Sequence, residues 1–288
     1  MPTFTLGIDI GGTAIKAVLL RDGAAFWSGR SAEYVRPDVA ALRQAAGEAL
    51  TGCPAGATVA GLCLPGLYDA AAGVVTCAVN VPGIEGLSID GLLASVLRAP
   101  PTTVMVLTDA RAAAHDIYTS RRLRGRLLAL VLGTGVGAAV LDDGAVLRGI
   151  DGDSPGHLGQ CDVSLGDDDV VGPDGGAGGL EGYLGAPAIR ARYGAPVSQV
   201  LPRLTVADPP IRALVRILRI AHAIYRPQHI CLAGGIGIRL AHLMDAIHAG
   251  VSHRLTSIAR PRWTLTRGDS DHQAAIGAAK LAMASSAR

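Results

Sequence analysis

The apolar positions of the chain fall into short runs with two periods, one of strands and one of helices. Leu6-Gly-Ile-Asp-Ile-Gly-Gly-Thr-Ala-Ile-Lys-Ala-Val-Leu-Leu20 reads as an apolar strand, a Gly-Gly-Thr turn and a second apolar strand. Arg21-Asp22-Gly23 is a turn signal, and Ala24–Arg30 follows as a third strand. Helical spacing over Asp38–Leu50, with Asp38 as N-cap, predicts the first helix. Thr58–Leu64 is a β-type run ending at Pro65-Gly66, Gly73–Thr76 a further short strand, and Ser88–Leu97 a helix. Thr103–Leu107 predicts a strand and Asp109–Tyr118 a helix. Strands interleaved with helices in this way predict α/β layers.

The basic stretch Arg121–Arg126 breaks the composition and marks a domain boundary, giving an N-terminal domain 1–120 and a C-terminal domain 121–269. No aromatic interleaves its arginines, so it reads as a solvated turn. Beyond it the opening pattern recurs. Leu127–Leu132 is a strand, Gly133-Thr-Gly-Val-Gly137 a glycine turn, and Ala138–Leu141 a strand. Asp142-Asp-Gly144 is again a turn, and Ala145–Arg148 a third strand. A dinucleotide fingerprint at Gly133–Gly137 would need a helix next, whereas a strand follows; no glycine loop runs into Lys-Ser/Thr either. Asp151–Gly179, rich in Gly, Asp and Pro, is a long loop of the kind that is functional or mobile. Leu180–Tyr193 is helical, and Asp208–Tyr225 is a strongly amphipathic helix with Ile211, Leu214, Val215, Leu218 and Ala221–Ala223 on one side. Gln228–Ala233 is a buried-type strand running into Gly234-Gly235-Ile-Gly237, followed by a helix from Ile238 to about Gly250. Arg262–Arg267 and Ser270–Ala284 are the last strand and helix.

Length and composition narrow the class. A chain of 288 residues can bury two cores, and 49% hydrophobic against 17% charged residues make it globular rather than disordered. A net charge of +2 gives no general attraction to nucleic acid or acidic membranes, and 3% aromatics leave few rings for stacking on bases. Five scattered cysteines, with no CxxC spacing, fit reduced thiols better than disulfides or a zinc site. The N-terminus has no basic leader pattern, and the longest apolar run, Leu127–Leu141, holds three glycines and is too short for a bilayer. A soluble cytoplasmic protein is expected.

Asp9 is the one acid of the opening stretch. Burying an unpaired charge is costly, so it is expected to face a metal, a phosphate-bound cation or water. Gly11 and Gly12 let the backbone turn tightly and bring its N–H groups to an anion. Two such turns on two domains make a clamp for a polyphosphate, with a carboxylate beside one of them holding the cation. Asp109 follows a strand and opens a helix, at the end of a sheet where ligands bind. It reads either as a helix N-cap or as a general base that orients a hydroxyl for phosphoryl transfer.

The chain resembles ROK-family sugar kinases of the glucokinase type over nearly its whole length. The matching segments are Gly7-Ile-Asp-Ile-Gly-Gly-Thr13, Leu132-Gly-Thr-Gly-Val-Gly137, Ala233-Gly-Gly-Ile-Gly237, Leu64-Pro-Gly66, Asn80-Val-Pro82 and Thr108-Asp109-Ala110, in family order. The resemblance implies an α/β, two-lobed actin-like ATPase (ribonuclease H-like) fold of duplicated three-strand-plus-helices domains, the C-terminal helix 270–288 packing back on the first lobe. It implies ATP with Mg²⁺, the phosphates on Gly11, Gly12, Thr13, Gly133, Thr134, Gly135 and Gly137. Gly234 and Gly235 would support the nucleoside, and Asp9 would hold Mg²⁺ through water. Asp109 would be the general base, and Gly66, Asn80, Thr108, Asp109, His157, Gln160 and Glu181 would form the sugar pocket. The family commonly dimerises, so a homodimer is expected, with a small sugar as partner and neither nucleic acid nor membrane.

The departures from the family pattern are as informative. An asparagine usually precedes the catalytic aspartate, and Thr108 stands there instead. A sugar-binding Glu is replaced by His157, which offers a donor as well as an acceptor, so the recognised hydroxyl pattern should differ. The family's zinc ligands fall on Gln160, Gly172, Asp174 and Gly179, a set that cannot make a four-ligand zinc site, and Cys161 alone cannot restore one. Structural zinc is therefore expected to be absent, and Asp167-Asp168-Asp169 reads as solvated loop. The altered pocket also allows a catalytically weak sugar-binding or sensor protein. A ROK repressor would need an N-terminal helix-turn-helix domain, for which the early hairpin leaves no room.

Overall fold

The computed structural model describes residues 2–54, 56–149, 156–166, 168, 170–259 and 262–286. The chain forms two compact units, Met1–Asp116 with His272–Arg288, and Ile117–Asp271.

Unit 1 carries β1 (Phe4–Ile10), β2 (Ile15–Arg21), β3 (Ala24–Arg30), β4 (Val59–Cys63), the small hairpin β5 (Leu67–Asp69) and β6 (Val74–Cys77), and β7 (Thr103–Leu107). The main sheet has the order β3-β2-β1-β4-β7, antiparallel from β3 to β1 and parallel from β1 to β7. β1 and β2 are buried along almost their whole length because both faces of the sheet are covered, which is why they read as continuous apolar runs. One face is covered by helices Val39–Leu50 and Ile89–Val96, whose Leu42, Ala46, Leu92 and Leu93 join the core of Leu6, Ile8 and Leu62. The first starts at the cap the sequence suggests, Asp38, and the second at Ser88, a cap not singled out there. The Asp38 carboxylate accepts from Ala41 N–H at 2.8 Å, and Ser88 Oγ from Gly91 N–H at 3.2 Å. The C-terminal helix Gln273–Ser286 packs on the same sheet, with Ala275 and Ala279 against Val18 and Leu20. It approaches so closely that a Cβ at Gly7 would lie 1.9 Å from Ala275 O, and one at Gly61 2.0 Å from Ala278 O.

Unit 2 repeats the plan with β8 (Arg126–Leu132), β9 (Val136–Asp142), β10 (Ala145–Val146), β11 (His229–Ala233) and β12 (Thr264–Arg267), in the order β10-β9-β8-β11-β12. The first two steps are again antiparallel and the last two parallel. Its long helix Pro209–Tyr225 buries Ile211, Leu214, Val215, Leu218 and Ala221 as the spacing predicts, but Ala223, placed on the same side, is exposed, because two residues on from Ala221 the helix has turned about 200° away.

Several elements differ from the expectations. The third strand of unit 2 is two residues long rather than Ala145–Arg148. The single helix expected over Leu180–Tyr193 is two, Leu180–Leu184 and Ala186–Tyr193, separated at an extended Gly185. Pro187 lies in the first turn of the second, where its missing N–H costs nothing but where no helix can run through it. The tract after β11 is helical from Gly234, passes through a 3₁₀ stretch Ile238–Leu243, and resumes as Met244–Ser252. The Arg121–Arg126 stretch is a turn with Arg122 and Arg124 exposed, as read, but its two end arginines are engaged rather than solvated. The Arg121 guanidinium donates to Asp269 at 2.8 Å, Thr266 Oγ1 at 2.9 Å and Arg267 O at 2.6 Å, while Arg126 pairs with Asp142 and donates to Tyr225 O.

Candidate active site

In unit 1, Asp9 stands near the end of β1, opposite Lys16 on β2 and Cys63 on β4. Only 6% of its surface is exposed, and Lys16 Nζ lies 3.4 Å from Oδ2. The acid expected to face a metal, a cation or water thus meets an ammonium from the neighbouring strand, a partner the reading of the stretch had not weighed. The half-buried turn Gly11–Thr13 is closed by Gly11 N–H donating to Ala14 O at 3.2 Å. It is also held from outside: Tyr34 donates through its hydroxyl to Gly11 O at 2.5 Å and through its N–H to Thr13 O at 2.8 Å. Burial, and then the charge of Asp9, push the Tyr34 phenol above its ordinary value and keep it a donor. Tyr34 was missed from sequence, since one tyrosine in an irregular segment carries no periodic signal.

Asp109 opens the helix Asp109–Ser120 directly after β7. The capping role belongs to Thr108, whose Oγ1 accepts from Arg111 N–H at 3.3 Å. Asp109 accepts from Ala110 N–H at 2.7 Å. Its carboxyl is pushed up to about 6, chiefly by burial and then by the negative charge of Asp9, with the Ala110 N–H and Lys16 acting in the opposite direction. Some surface at Asp109 stays accessible, so the group is desolvated without being sealed from a ligand. The Cys63 thiol is raised by burial and then by both aspartates, with Lys16 acting in the opposite direction, which favours its protonated form. Gly66 has φ +77°, and a Cβ there would lie 1.8 Å from Cys77 O, so only glycine allows this turn. Asn80 is half-buried in the turn before the 3₁₀ helix Pro82–Ile84. The structure therefore gathers Asp9, Lys16, Cys63 and Asp109, while Gly66 and Asn80 belong to the neighbouring β5–β6 region.

In unit 2, the turn between β8 and β9 is half-buried, with Gly133 N–H donating to Gly135 O at 3.0 Å. Gly234 lies against the end of β8, where a Cβ would sit 2.5 Å from Leu132 O. Glu181 accepts from Val136 N–H at 2.6 Å, and Ala186 N–H donates to Gly133 O at 3.0 Å. Burial raises the Glu181 carboxyl; the Val136 N–H and His157 work against this, and Asp174 adds to it. Glu181, His157 and Asp174 thus share one electrostatic neighbourhood.

His157 is exposed and precedes the 3₁₀ turn Leu158–Gln160. Gln160 donates its amide to the Asp174 carboxylate, which also accepts from Gly176 N–H at 3.3 Å. Gly172 N–H donates to Gly176 O at 2.7 Å. Of the positions of the family's zinc ligands, Gln160 and Asp174 are thus joined by a hydrogen bond while Gly172 and Gly179 have no side chain, and one amide with one carboxylate is not a zinc donor set. No group of three or more His, Cys, Asp and Glu among the described residues could hold a metal ion. Asp168 is not simply solvated: it pairs with Arg192 at 2.8 Å, while Asp167 and Asp169 lie outside the described residues. No described helix is long and apolar enough to cross a membrane.

Two units repeating one mixed sheet order, each with a glycine turn between its first two strands, define an actin-like ATPase fold. The chain belongs to the ROK family, whose sequence model matches residues 5–285. Among solved structures it is similar to a ROK-family glucokinase from Streptomyces griseus in complex with glucose and AMPPNP, at 21% identity and a TM-score of 0.74, over 98% of this chain and 99% of that one. It is similar to a ROK hexokinase from Thermus thermophilus at 24% identity and a TM-score of 0.71, over 100% and 99%. A ROK-family transcriptional regulator, a homologue of the E. coli MLC protein, matches at 18% identity and a TM-score of 0.71, over 96% of this chain and 77% of that one. No curated protein matches the chain.

Proposed function

We propose that the protein is an ATP-dependent carbohydrate kinase that phosphorylates a hydroxyl of a hexose or hexose derivative. The observation that carries this reading is Asp109: a desolvated carboxylate at the end of β7, pushed up to about 6 and coupled to Asp9 and Lys16 beside a glycine turn. A base of that strength is mostly ionised at neutral pH, yet more basic than an ordinary carboxylate when it accepts the hydroxyl proton. In this reading the turns Gly11–Thr13 and Gly133–Gly137 bind the phosphates, the N–H groups of Gly11 and Gly133 closing the turns rather than meeting the ligand, and Gly234 and Gly235 support the nucleoside. Asn80, Thr108, His157, Gln160 and Glu181 contact the sugar, and Gly66 shapes the backbone of that pocket.

A single buried carboxylate beside a glycine turn fits a hydrated Mg²⁺ shared with phosphate oxygens rather than an all-protein cage. Asp9 would hold it through water, and the ion would neutralise charge on the transferring phosphoryl group. Lys16 adds a fixed positive charge to the same neighbourhood, which helps keep Asp109 ionised. Thr108 caps the helix and holds Asp109 at its first position. Structural zinc has no part in this reading, and the protein acts in the cytoplasm, as a homodimer, on a small molecule.

The relatives named above are a glucokinase, a hexokinase and a regulator, and the likeness to the first two supports the kinase reading. Purified protein with MgATP and a panel of hexoses, amino sugars and polyols should release ADP only when its sugar is present. If no sugar raises ADP release above background while ligands still raise the thermal midpoint, the protein is a sensor and the kinase reading is wrong.

A further inference from the structure

We infer that Glu181 is a positioning residue for the second phosphate turn, so that a residue assigned to the sugar also sets the affinity for the phosphoryl donor. This rests on the kinase reading above. One carboxylate oxygen of Glu181 accepts from Val136 N–H at 2.6 Å, inside the Gly133–Gly137 turn whose amides would meet phosphate. That bond decides which way the Val136 peptide points. Left without it, the N–H would turn toward water or toward the turn's own carbonyls, and the neighbouring amides would turn with it.

The rest of the local structure fixes Glu181 in this place. It sits in the short helix Leu180–Leu184, whose Leu180, Tyr183 and Leu184 are fully buried in the unit 2 core. Tyr183 Oη accepts from Leu165 N–H and donates to Asp168 O, both at 3.2 Å, tying the preceding loop to the helix. At the other end Gly185 N–H donates to Glu181 O and Ala186 N–H donates to Gly133 O, both at 3.0 Å. The two consecutive helices therefore grip the turn at two points, Gly133 O through the Ala186 amide that opens the second and Val136 N through Glu181 of the first. A Cβ at Gly159 would lie 2.9 Å from Glu181 Cγ and 3.1 Å from Val136 O, so the 3₁₀ turn after His157 closes the third side. A side chain held this way has its second oxygen left for an acceptor hydroxyl. Donor and acceptor sites would then share one carboxylate, and occupation of either would order the other.

The test is MgADP binding in the absence of any sugar, by calorimetry, on the wild type, Glu181→Ala and Glu181→Gln. A residue that only contacts sugar leaves this affinity unchanged. The inference expects Glu181→Ala to bind about tenfold more weakly, with Glu181→Gln near wild type because its amide oxygen can still accept from Val136 N–H. If Glu181→Ala does not fold, Glu181→Asp takes its place: it keeps the charge but is one methylene too short to reach. Equal affinity in all variants overturns the inference, and so does a Glu181→Gln as weak as Glu181→Ala. A wild type that binds no nucleotide overturns the kinase reading itself, a result separate from either.

Discussion

Replacing Asp109 by Asn should separate stability from activity in opposite directions. The carboxyl is raised from an ordinary 3.8 to about 6 by burial and by Asp9. At about 1.4 kcal/mol per pKa unit, that corresponds to a penalty on the order of 3 kcal/mol for keeping the ionised group in the folded protein. The sign follows from the direction. Below about pH 4 the group is protonated both folded and unfolded and no penalty exists; as pH rises through about 6 the penalty develops fully. Asparagine keeps the shape and the oxygen that accepts from Ala110 N–H but carries no charge. Asp109→Asn should therefore be more stable than wild type by up to about 3 kcal/mol at pH 7.5 and no more stable at pH 4, read from urea unfolding at the two pH values. The same variant should lose about 10²- to 10⁴-fold in kcat with its fold intact. In the wild type kcat should fall as pH drops through about 6. A variant no more stable than wild type at pH 7.5, or one gaining equally at both pH values, would refute the account of Asp109 as a strained, coupled carboxylate. Retained turnover would refute its role as base.

Further predictions test the surrounding structure. Lys16→Met leaves Asp9 buried without its partner and should cost about 3–5 kcal/mol in unfolding free energy, while the acid limb of kcat moves to higher pH because Lys16 no longer favours ionised Asp109. Tyr34→Phe removes only the hydroxyl that holds Gly11 O; it should destabilise by about 1 kcal/mol and raise the KM for ATP severalfold, with the sugar KM unchanged in initial-rate kinetics. Gly61→Ala would place a Cβ 2.0 Å from Ala278 O, so thermal unfolding should show a loss of about 3 kcal/mol or more as the C-terminal helix is forced off the sheet. Excess EDTA should abolish turnover by removing Mg²⁺ yet leave the thermal midpoint where it was, because Gln160 and Asp174 meet through a hydrogen bond rather than a metal; a large drop in midpoint would point to a structural metal.

The sequence by itself determined the architecture of each unit and the family. Period-2 and continuous apolar runs, glycine turns and caps are local signals, and Ala24–Arg30, Thr103–Leu107, the Asp38 cap and the buried side of Pro209–Tyr225 were all legible in them. The recurrence of strand, glycine turn and strand foretold two like three-strand units, because turns of that kind join antiparallel neighbours; the order in which the parallel strands extend each sheet is not in that signal. What only the tertiary structure decided was who meets whom across long separations. That Asp9 faces Lys16 depends on strand register, and that Asp109 feels both depends on β1, β4 and β7 lying side by side. That Tyr34 closes the first turn and Glu181 braces the second depends on segments 23 and 45 residues away. No periodicity encodes such contacts. They arise because a buried carbonyl or amide must find a partner wherever the packed chain provides one.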